Sequence, residues 1–306
     1  MKISIIIPSY NQKDYIEETL CSILEQAYPH LELIVVDGKS TDGTLEVIKR
    51  YEKYISTFIS EPDRGQTHAI NKGLKLFTGE IWSYLNSDDL ISPGSLQRIA
   101  ECFENSSVNW VGGISDMFDE NKHLGLIKPE LPSNLKEYLT PWNRTSKYVF
   151  PCSNVCFMRR RIFDSCGYFD ESYDYSMDIE YYVRAIFKGE FKQFLIPEVI
   201  GKWRWHSNSK TLKKGIAYGF REDEVRIAET YLKYLNCAEK DSLTSEIEEQ
   251  KRWLVTRRAM FHRNQSQNGQ AWFELLNNLQ QNPELLTFRP WYGAIKALIY
   301  DAVFAK

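Results

Sequence analysis

Several signatures are missing from this chain, and each absence removes a class of function. It contains neither G-x-G-x-x-G nor G-x-x-x-x-G-K-[ST], the glycine loops that cradle dinucleotides and nucleoside triphosphates. That argues against a dehydrogenase or an NTPase. No C-x-x-C pair occurs among the six cysteines; Cys152 and Cys156 are four apart, with no second pair to complete a zinc site. Scattered reduced thiols fit a cytoplasmic protein. No window reaches the roughly 18 consecutive apolar residues of a membrane span. The N-terminal apolar run is too short for a signal peptide and ends at Pro8, so a cytoplasmic location is expected. Basic residues do not exceed acidic ones (38 against 41, net charge −3), so there is no general basic face for nucleic acid.

What the chain does have is a regular alternation of two periods. Short apolar runs, as in buried parallel strands, lie at 4–10 (SIIIPSY), 31–37 (LELIVVD), 56–63 and 80–89. Helical spacing fills the gaps at 14–26, 44–54, 66–77 and 95–103. Strand and helix in strict alternation predict a parallel sheet, with ligands outside the carboxyl ends of its strands. Acids gather at those ends: Asp37 closes the second strand, Asp63 follows the third, and Asp88 and Asp89 close the fourth. A single such acid is usually a turn former or helix cap; three strands delivering acids to one edge point to a site. Further on, 108–118 and 121–129 read as a hairpin or two strands, 132–147 as loops at the mouth, 149–171 as strand, helix and turn, 177–189 as a helix and 191–206 as a strand. The rest is helical, which sets a boundary between residues 211 and 212.

The stretch LNSDDL (85–90) poses a physical question, because adjacent carboxylates repel and burial raises their pKa values. Something positive has to meet them. A hard divalent cation, Mg²⁺ or Mn²⁺, suits such oxygen ligands and takes phosphate as a co-ligand. The competing reading is an Asp-Asp cap before SPGSL.

In PSYNQ (8–12), VVDGKSTDGT (35–44), EPDRGQTHAINKG (61–73), LNSDD (85–89), GYFDE (167–171), MDIEYYVR (177–184) and RWHSNS (204–209), the chain resembles the inverting glycosyltransferases of family 2. These have the GT-A fold, an α/β architecture with a mostly parallel, Rossmann-like sheet flanked by helices. The likeness covers roughly residues 1–210 and implies a catalytic domain at 1–211 with a helical extension at 212–306. It also implies roles. Pro8, Tyr10 and Asn11 would line the nucleotide pocket, and Asp37 would accept the imide N–H of uracil or thymine. Asp63 and Arg64 would help hold the base or the diphosphate. Asp89 would bind Mn²⁺ or Mg²⁺ with help from His206, while Asp88 contacts the ribose or supports the metal. Asn86 stands where many members have Asp, which removes a charge.

Inversion requires a base on the face opposite the leaving group. Asp178, at the start of the MDIEYYVR helix, matches the family's position, with Glu180 as second choice. The resemblance therefore implies transfer of a sugar from a nucleotide-diphosphate donor, UDP or TDP favoured, to a hydroxyl of a glycan or lipid-linked glycan. A catalytically inactive sugar-nucleotide-binding or scaffold protein is the alternative, and a sugar-phosphate nucleotidyltransferase a further one. Trp203 and Trp205 flank His206 and read either as core or as a sugar platform. The segment 288–306 reads as a packed amphipathic helix or as a peripheral contact with the membrane's inner face through Trp291 and Tyr292.

Overall fold

The computed structural model describes residues 1–120, 122–143, 150–189, 191–207, 209–210, 218–264, 267–281, 283 and 288–304. The chain divides into two compact units, Met1–His206 and Ser207–Lys306. The boundary expected between 211 and 212, and the loops expected over 144–147, lie outside the described residues.

The first unit opens with the expected alternation: β1 (Ile3–Ser9), α1 (Ile16–Leu24), β2 (Leu31–Asp37), α2 (Thr44–Arg50), β3 (Thr57–Ser60), α3 (Gln66–Leu74) and β4 (Ile81–Tyr84). Pairing of β3 with β2, β2 with β1 and β1 with β4 is parallel. β1 is buried along its whole length, as a central strand covered on both faces must be. Ile3, Ile5 and Ile7 pack with Leu20 and Ile23 of α1 and with Leu33 and Val35 of β2. The four strands place Ser9, Asp37, Ser60 and Tyr84 at one edge.

The remaining elements are β5 (Leu90–Ile91), α4 (Ser95–Glu104), β6 (Trp110–Phe118), β7 (His123–Ile127), α5 (Leu135–Tyr138), β8 (Cys156–Arg159), α6 (Arg160–Cys166), α7 (Met177–Phe187) and β9 (Gln193–Arg204). Together the strands form one nine-stranded sheet ordered β3-β2-β1-β4-β8-β6-β9-β5, with β7 paired to β6. β8 enters antiparallel between β4 and β6, and β9 runs parallel to β6. The fourth strand is shorter than its apolar run. A turn closed by the Asp89 N–H on the Asn86 carbonyl (3.1 Å) takes over, because Asn86–Asp89 spend their side chains on one another and on β9.

The second unit holds α8 (Phe220–Tyr231), α9 (Cys237–Asn264), α10 (Asn268–Gln281) and α11 (Arg289–Phe304). Trp291, Ala294 and Leu298 of α11 are buried against Ala259, Ala271 and Leu275. Of the two readings of 288–306, packing is the one this face follows, and Trp291 is withdrawn from the head-group role considered for it. The side chain of Tyr292 lies outside what is described. Among the described residues no helix is long and apolar enough to cross a membrane.

At the opposite end of the sheet from the acids, Glu32 ties the strand starts together. It pairs with Lys2 (2.6 Å) and accepts from the Ser4 hydroxyl and from the Thr78 N–H (2.7 Å). Burial opposes its charge, but the hydrogen bonds from Lys2, Ser4 and Thr78 outweigh burial and hold the carboxyl at about 2. A depressed folded-state pKa stabilises the fold above the unfolded value and loses that contribution as pH falls toward 2. Glu32→Gln is therefore expected to cost about 1–3 kcal/mol near neutral pH. The deficit should shrink between about pH 5 and pH 2; thermal melts of both proteins across that range measure it.

Candidate active site

The loops after β1 and β2 are stitched by side chains that the VVDGKSTDGT and PSYNQ motifs supply. Asp37 is 0% exposed. Its Oδ1 accepts from the Ser40 N–H (2.8 Å) and its Oδ2 from the Ser40 hydroxyl (2.6 Å), while Ser60 donates to Oδ1 (3.2 Å). The Asn11 N–H donates to Ser40 Oγ (2.8 Å), and Asn11 Oδ1 accepts from the Thr41 N–H (3.0 Å). Asn11 does this from a left-handed backbone, φ 51°, a conformation asparagine tolerates better than most residues. Asp37 and Asn11 therefore hold these two loops together, and Asp37 offers no open face to a base. Pro8 is also enclosed, inside β1.

The open surface here belongs to Tyr10, which is 59% exposed. Gly38 lies between it and Asp63: a Cβ at Gly38 would stand 2.5 Å from Asp63 Oδ2 and 3.2 Å from the Tyr10 ring. Only glycine lets that carboxylate and that ring approach one another over the end of β2. Asp63 Oδ1 caps the Gly65 N–H (2.8 Å). Arg64 is turned elsewhere, donating through Nε and Nη2 to Glu171 (3.1 and 2.7 Å).

At the end of β4 the two adjacent carboxylates divide. Asp89 is 2% exposed; its Oδ1 accepts from the Arg204 N–H (3.0 Å) and its Oδ2 from the Asn86 amide (3.3 Å). Burial, and then the charge of Asp88, push its carboxyl well above the ordinary range. Asp88 is more open, and its Oδ2 meets His206 Nε2 at 2.9 Å. The His206 ring packs on Tyr15 with centroids 4.4 Å apart, and its buried Nδ1 has no hydrogen-bond partner. The expected arrangement, Asp89 outward to an ion and Asp88 in support, is thus exchanged in the geometry: the turn after β4 sends Asp89 inward to β9 and leaves Asp88 beside the histidine.

The positive group that meets the acids is Arg204. Its Nε donates to the Asp88 carbonyl (2.9 Å), it pairs with Glu18, and its guanidinium lies against the rings of Tyr15 (5.3 Å) and Phe118 (4.6 Å). Sequence reasoning quoted RWHSNS for its histidine and passed over this arginine. It also missed Gln66, whose amide donates to Asn86 Oδ1 at 2.6 Å. The available signal was local: at the end of β9 the buried Arg204 lies between the half-buried Trp203 and Trp205. The two tryptophans pack edge to face, 5.4 Å apart.

Asp178 lies in the first turn of α7, half-buried, with Oδ1 accepting from the Ile179 N–H (2.9 Å). Its charge is felt at the hydroxyl of Tyr84, the last residue of β4, which burial and then Asp178 raise well above the usual range. The Phe169 ring lies between helix and strand, 4.3 Å from the Tyr181 ring of α7 and 5.5 Å from the Tyr84 ring of β4. Glu180, the second choice, is buried in a two-point pair with Arg184 (3.1 and 2.6 Å).

Among the described residues, no group of three or more His, Cys, Asp or Glu is gathered for a metal. The Asp88–His206 pair nonetheless fits a hard or borderline divalent ion: it supplies one carboxylate and one imidazole, whose own buried Nδ1 has no hydrogen-bond partner. Further positions would then be left to phosphate oxygens and water, which such ions accept readily.

A mixed sheet with acids at its parallel edge, a carboxylate–histidine pair and a helix with an acid in its first turn agree with the GT-A fold. A profile described as Glycosyl transferase family 2 matches residues 4–167, more than half of the chain, and the chain belongs to that family. A putative teichuronic acid biosynthesis glycosyltransferase of Bacillus subtilis, TuaG, is 41% identical over 102 residues. That match covers 32% of this chain and only 40% of TuaG. Staphylococcus aureus TarS 1–349, solved with UDP-GlcNAc, superposes with a TM-score of 0.60 at 20% identity, over 98% of this chain and 81% of that one. The Pyrobaculum calidifontis mannosyltransferase PcManGT, solved with GDP-Man and Mn²⁺, gives 0.56 at 20% identity, over 100% and 88%.

Arg204→Gln keeps the backbone N–H to Asp89 but loses the guanidinium bond to the Asp88 carbonyl and the contacts with the Tyr15 and Phe118 rings, and should lower stability by about 1–3 kcal/mol. Arg204→Lys should recover only part of this, because an ammonium cannot reproduce the planar fork. Denaturant unfolding of the three proteins measures both.

Proposed function

We propose that the chain is an inverting, metal-assisted glycosyltransferase. It moves a sugar from a nucleotide-diphosphate donor, UDP-linked by preference, to a hydroxyl of a glycan or lipid-linked glycan. The observation that carries this reading is the meeting of Asp88 and His206 at 2.9 Å, at the edge where the parallel strands deliver their acids. Family membership supports it, as do the donors held by TarS and PcManGT and the polysaccharide role in the name of TuaG.

Each residue then has a task. The base lies over Gly38 between the Tyr10 ring and Asp63, and Asp63 Oδ2 accepts the imide N–H that uracil and thymine carry. Asp37 acts from beneath by fixing Ser40 and the loop. Asp88 and His206 would hold Mn²⁺ or Mg²⁺, with Asp89 anchoring their turn to β9. A bound ion would neutralise the charge that develops on the departing diphosphate. Asp178 accepts the proton of the acceptor hydroxyl as its oxygen bonds to the anomeric carbon from the opposite face. The bond to the diphosphate oxygen breaks, and the configuration inverts. An acceptor on a lipid carrier would bring the protein to the inner face of the membrane.

Calorimetric titration with UDP, TDP, GDP and CDP, each with and without Mn²⁺, tests the donor half. UDP and TDP should bind tightly only with metal, and Asp88→Asn or His206→Ala should abolish the metal dependence. Asp178→Asn should keep UDP–Mn²⁺ binding and lose turnover by about 10²–10⁴-fold. Binding indifferent to base and metal would leave the scaffold reading standing.

A further inference from the structure

The segment Cys166–Glu171 is gripped from two sides. From α7, Arg184 Nη1 donates to the carbonyls of Cys166 (2.6 Å) and Tyr168 (2.8 Å). From α3, Asn71 engages both backbone groups of Phe169: its Nδ2 donates to the Phe169 carbonyl (2.9 Å), and its Oδ1 accepts from the Phe169 N–H (3.0 Å). Asparagine and glutamine are the side chains that carry an amide donor and acceptor side by side, as this two-point pair requires. Asn71 is 6% exposed in a helix interior, where its propensity is poor, so its place there needs a reason.

The grip continues on both flanks of Phe169. Arg64, just before α3, pairs with Glu171. The Thr67 hydroxyl donates to Met177 Sδ, one residue before Asp178. The Phe169 ring stacks on Tyr181 of α7 (centroids 4.3 Å, 23°) and meets Tyr84 of β4 edge-on (5.5 Å). It is therefore the spacer between the helix that carries Asp178 and the strand that leads to Asp88. α3 itself is seated on the sheet: a Cβ at Gly73 would lie 2.4 Å from Ile6 Cγ2 of β1, so the helix backbone rests directly on that strand.

We infer that Asn71 is a positioning residue. By clamping Phe169 to a helix fixed on β1, it sets the distance between Asp178 on α7 and the Asp88–His206 pair at the end of β4. The inference rests on the catalytic reading of Asp178 given above. It assigns work to the AINKG and GYFDE motifs, which that reading leaves without a task.

The test compares the full chain with Asn71→Ala by hydrogen exchange and by turnover. Exchange in 177–187 should quicken about tenfold or more, as local opening becomes easier, while 3–9 and 81–91 keep their protection. UDP–Mn²⁺ affinity should stay within about twofold, and UDP release from UDP-GlcNAc or UDP-glucose should fall about a hundredfold, since ångström-scale misplacement costs that much. Wild-type exchange in 177–187 would overturn the clamp whatever Asp178 does. Loosening of all segments together with lost UDP–Mn²⁺ binding would overturn it too, by showing a general structural role. If Asn71→Ala does not fold, Thr67→Val carries the test, with the same pattern expected in smaller measure. Wild-type turnover in Asp178→Asn counts against the functional reading itself and leaves exchange to decide on the clamp alone.

Discussion

Two adjacent carboxylates at the end of a buried strand repel one another, and much of the first unit is arranged to answer that. Arg204 supplies a backbone N–H to Asp89 and a guanidinium N–H to the Asp88 carbonyl. It comes from more than a hundred residues later in the chain, so a strand has to carry it back. That strand is β9, and the two-residue β5 registers it, Leu90 opposite Lys202 and Ile91 opposite Gly201. Continued by two residues, the same antiparallel register brings Arg204 to Asp88. β5 is too short to stabilise a sheet edge, and its value is this alignment. The parallel run of β9 on β6 holds the arginine from the other side, with Phe118 opposite Arg204 and its ring under the guanidinium.

The same repulsion gives a physical reason for Asn86. A carboxylate at that position would face Asp89 Oδ2 at about the 3.3 Å that now separates it from the Asn86 amide nitrogen. The amide donates where an acid would repel, and Gln66 donates to its carbonyl in turn. An amide relay thus runs from the start of α3 through Asn86 to the buried acid. The departure from the family's usual Asp has a partner of its own, at the start of α3, and leaves Asp88 as the open carboxylate beside His206.

The parallel half of the fold was readable because it depends on local periodicity: each apolar run of 31–37 type, followed by helical spacing, can only be buried one way. The edge at which Asp37, Asp63 and Asp88 gather followed from topology alone. Choice of partner did not follow. Whether Asp37 faces a base or its own loop depends on Ser40 and Ser60, and the latter is on another strand. Arg64 reads as a phosphate ligand until Glu171, 107 residues later, is placed beside it. Asp88 and Asp89 are indistinguishable in sequence; the turn that separates their roles is set by β9. Glu180, second choice on helical phase, is paired with Arg184 one turn on, a partner that helical phase alone does not reveal.

The family profile ends at Gly167, where the doubly gripped segment begins. That coincidence has a physical sense. On the proposed reading, most of the groups that would cradle a nucleotide diphosphate come from strand ends of the parallel half, with His206 brought back after β9. The base proposed for the acceptor, Asp178, would have to stand opposite that cradle at a fixed distance, yet it sits on α7, outside the βα alternation. Nothing in the sheet's hydrogen bonding determines where α7 lies. The constraint is supplied instead by side chains: Asn71, Arg64 and Thr67 from α3 and its approach, Arg184 from α7, and the Phe169 ring between them. The strand-end acids are placed by backbone register, and the helix that carries Asp178 is placed by this small polar and aromatic joint.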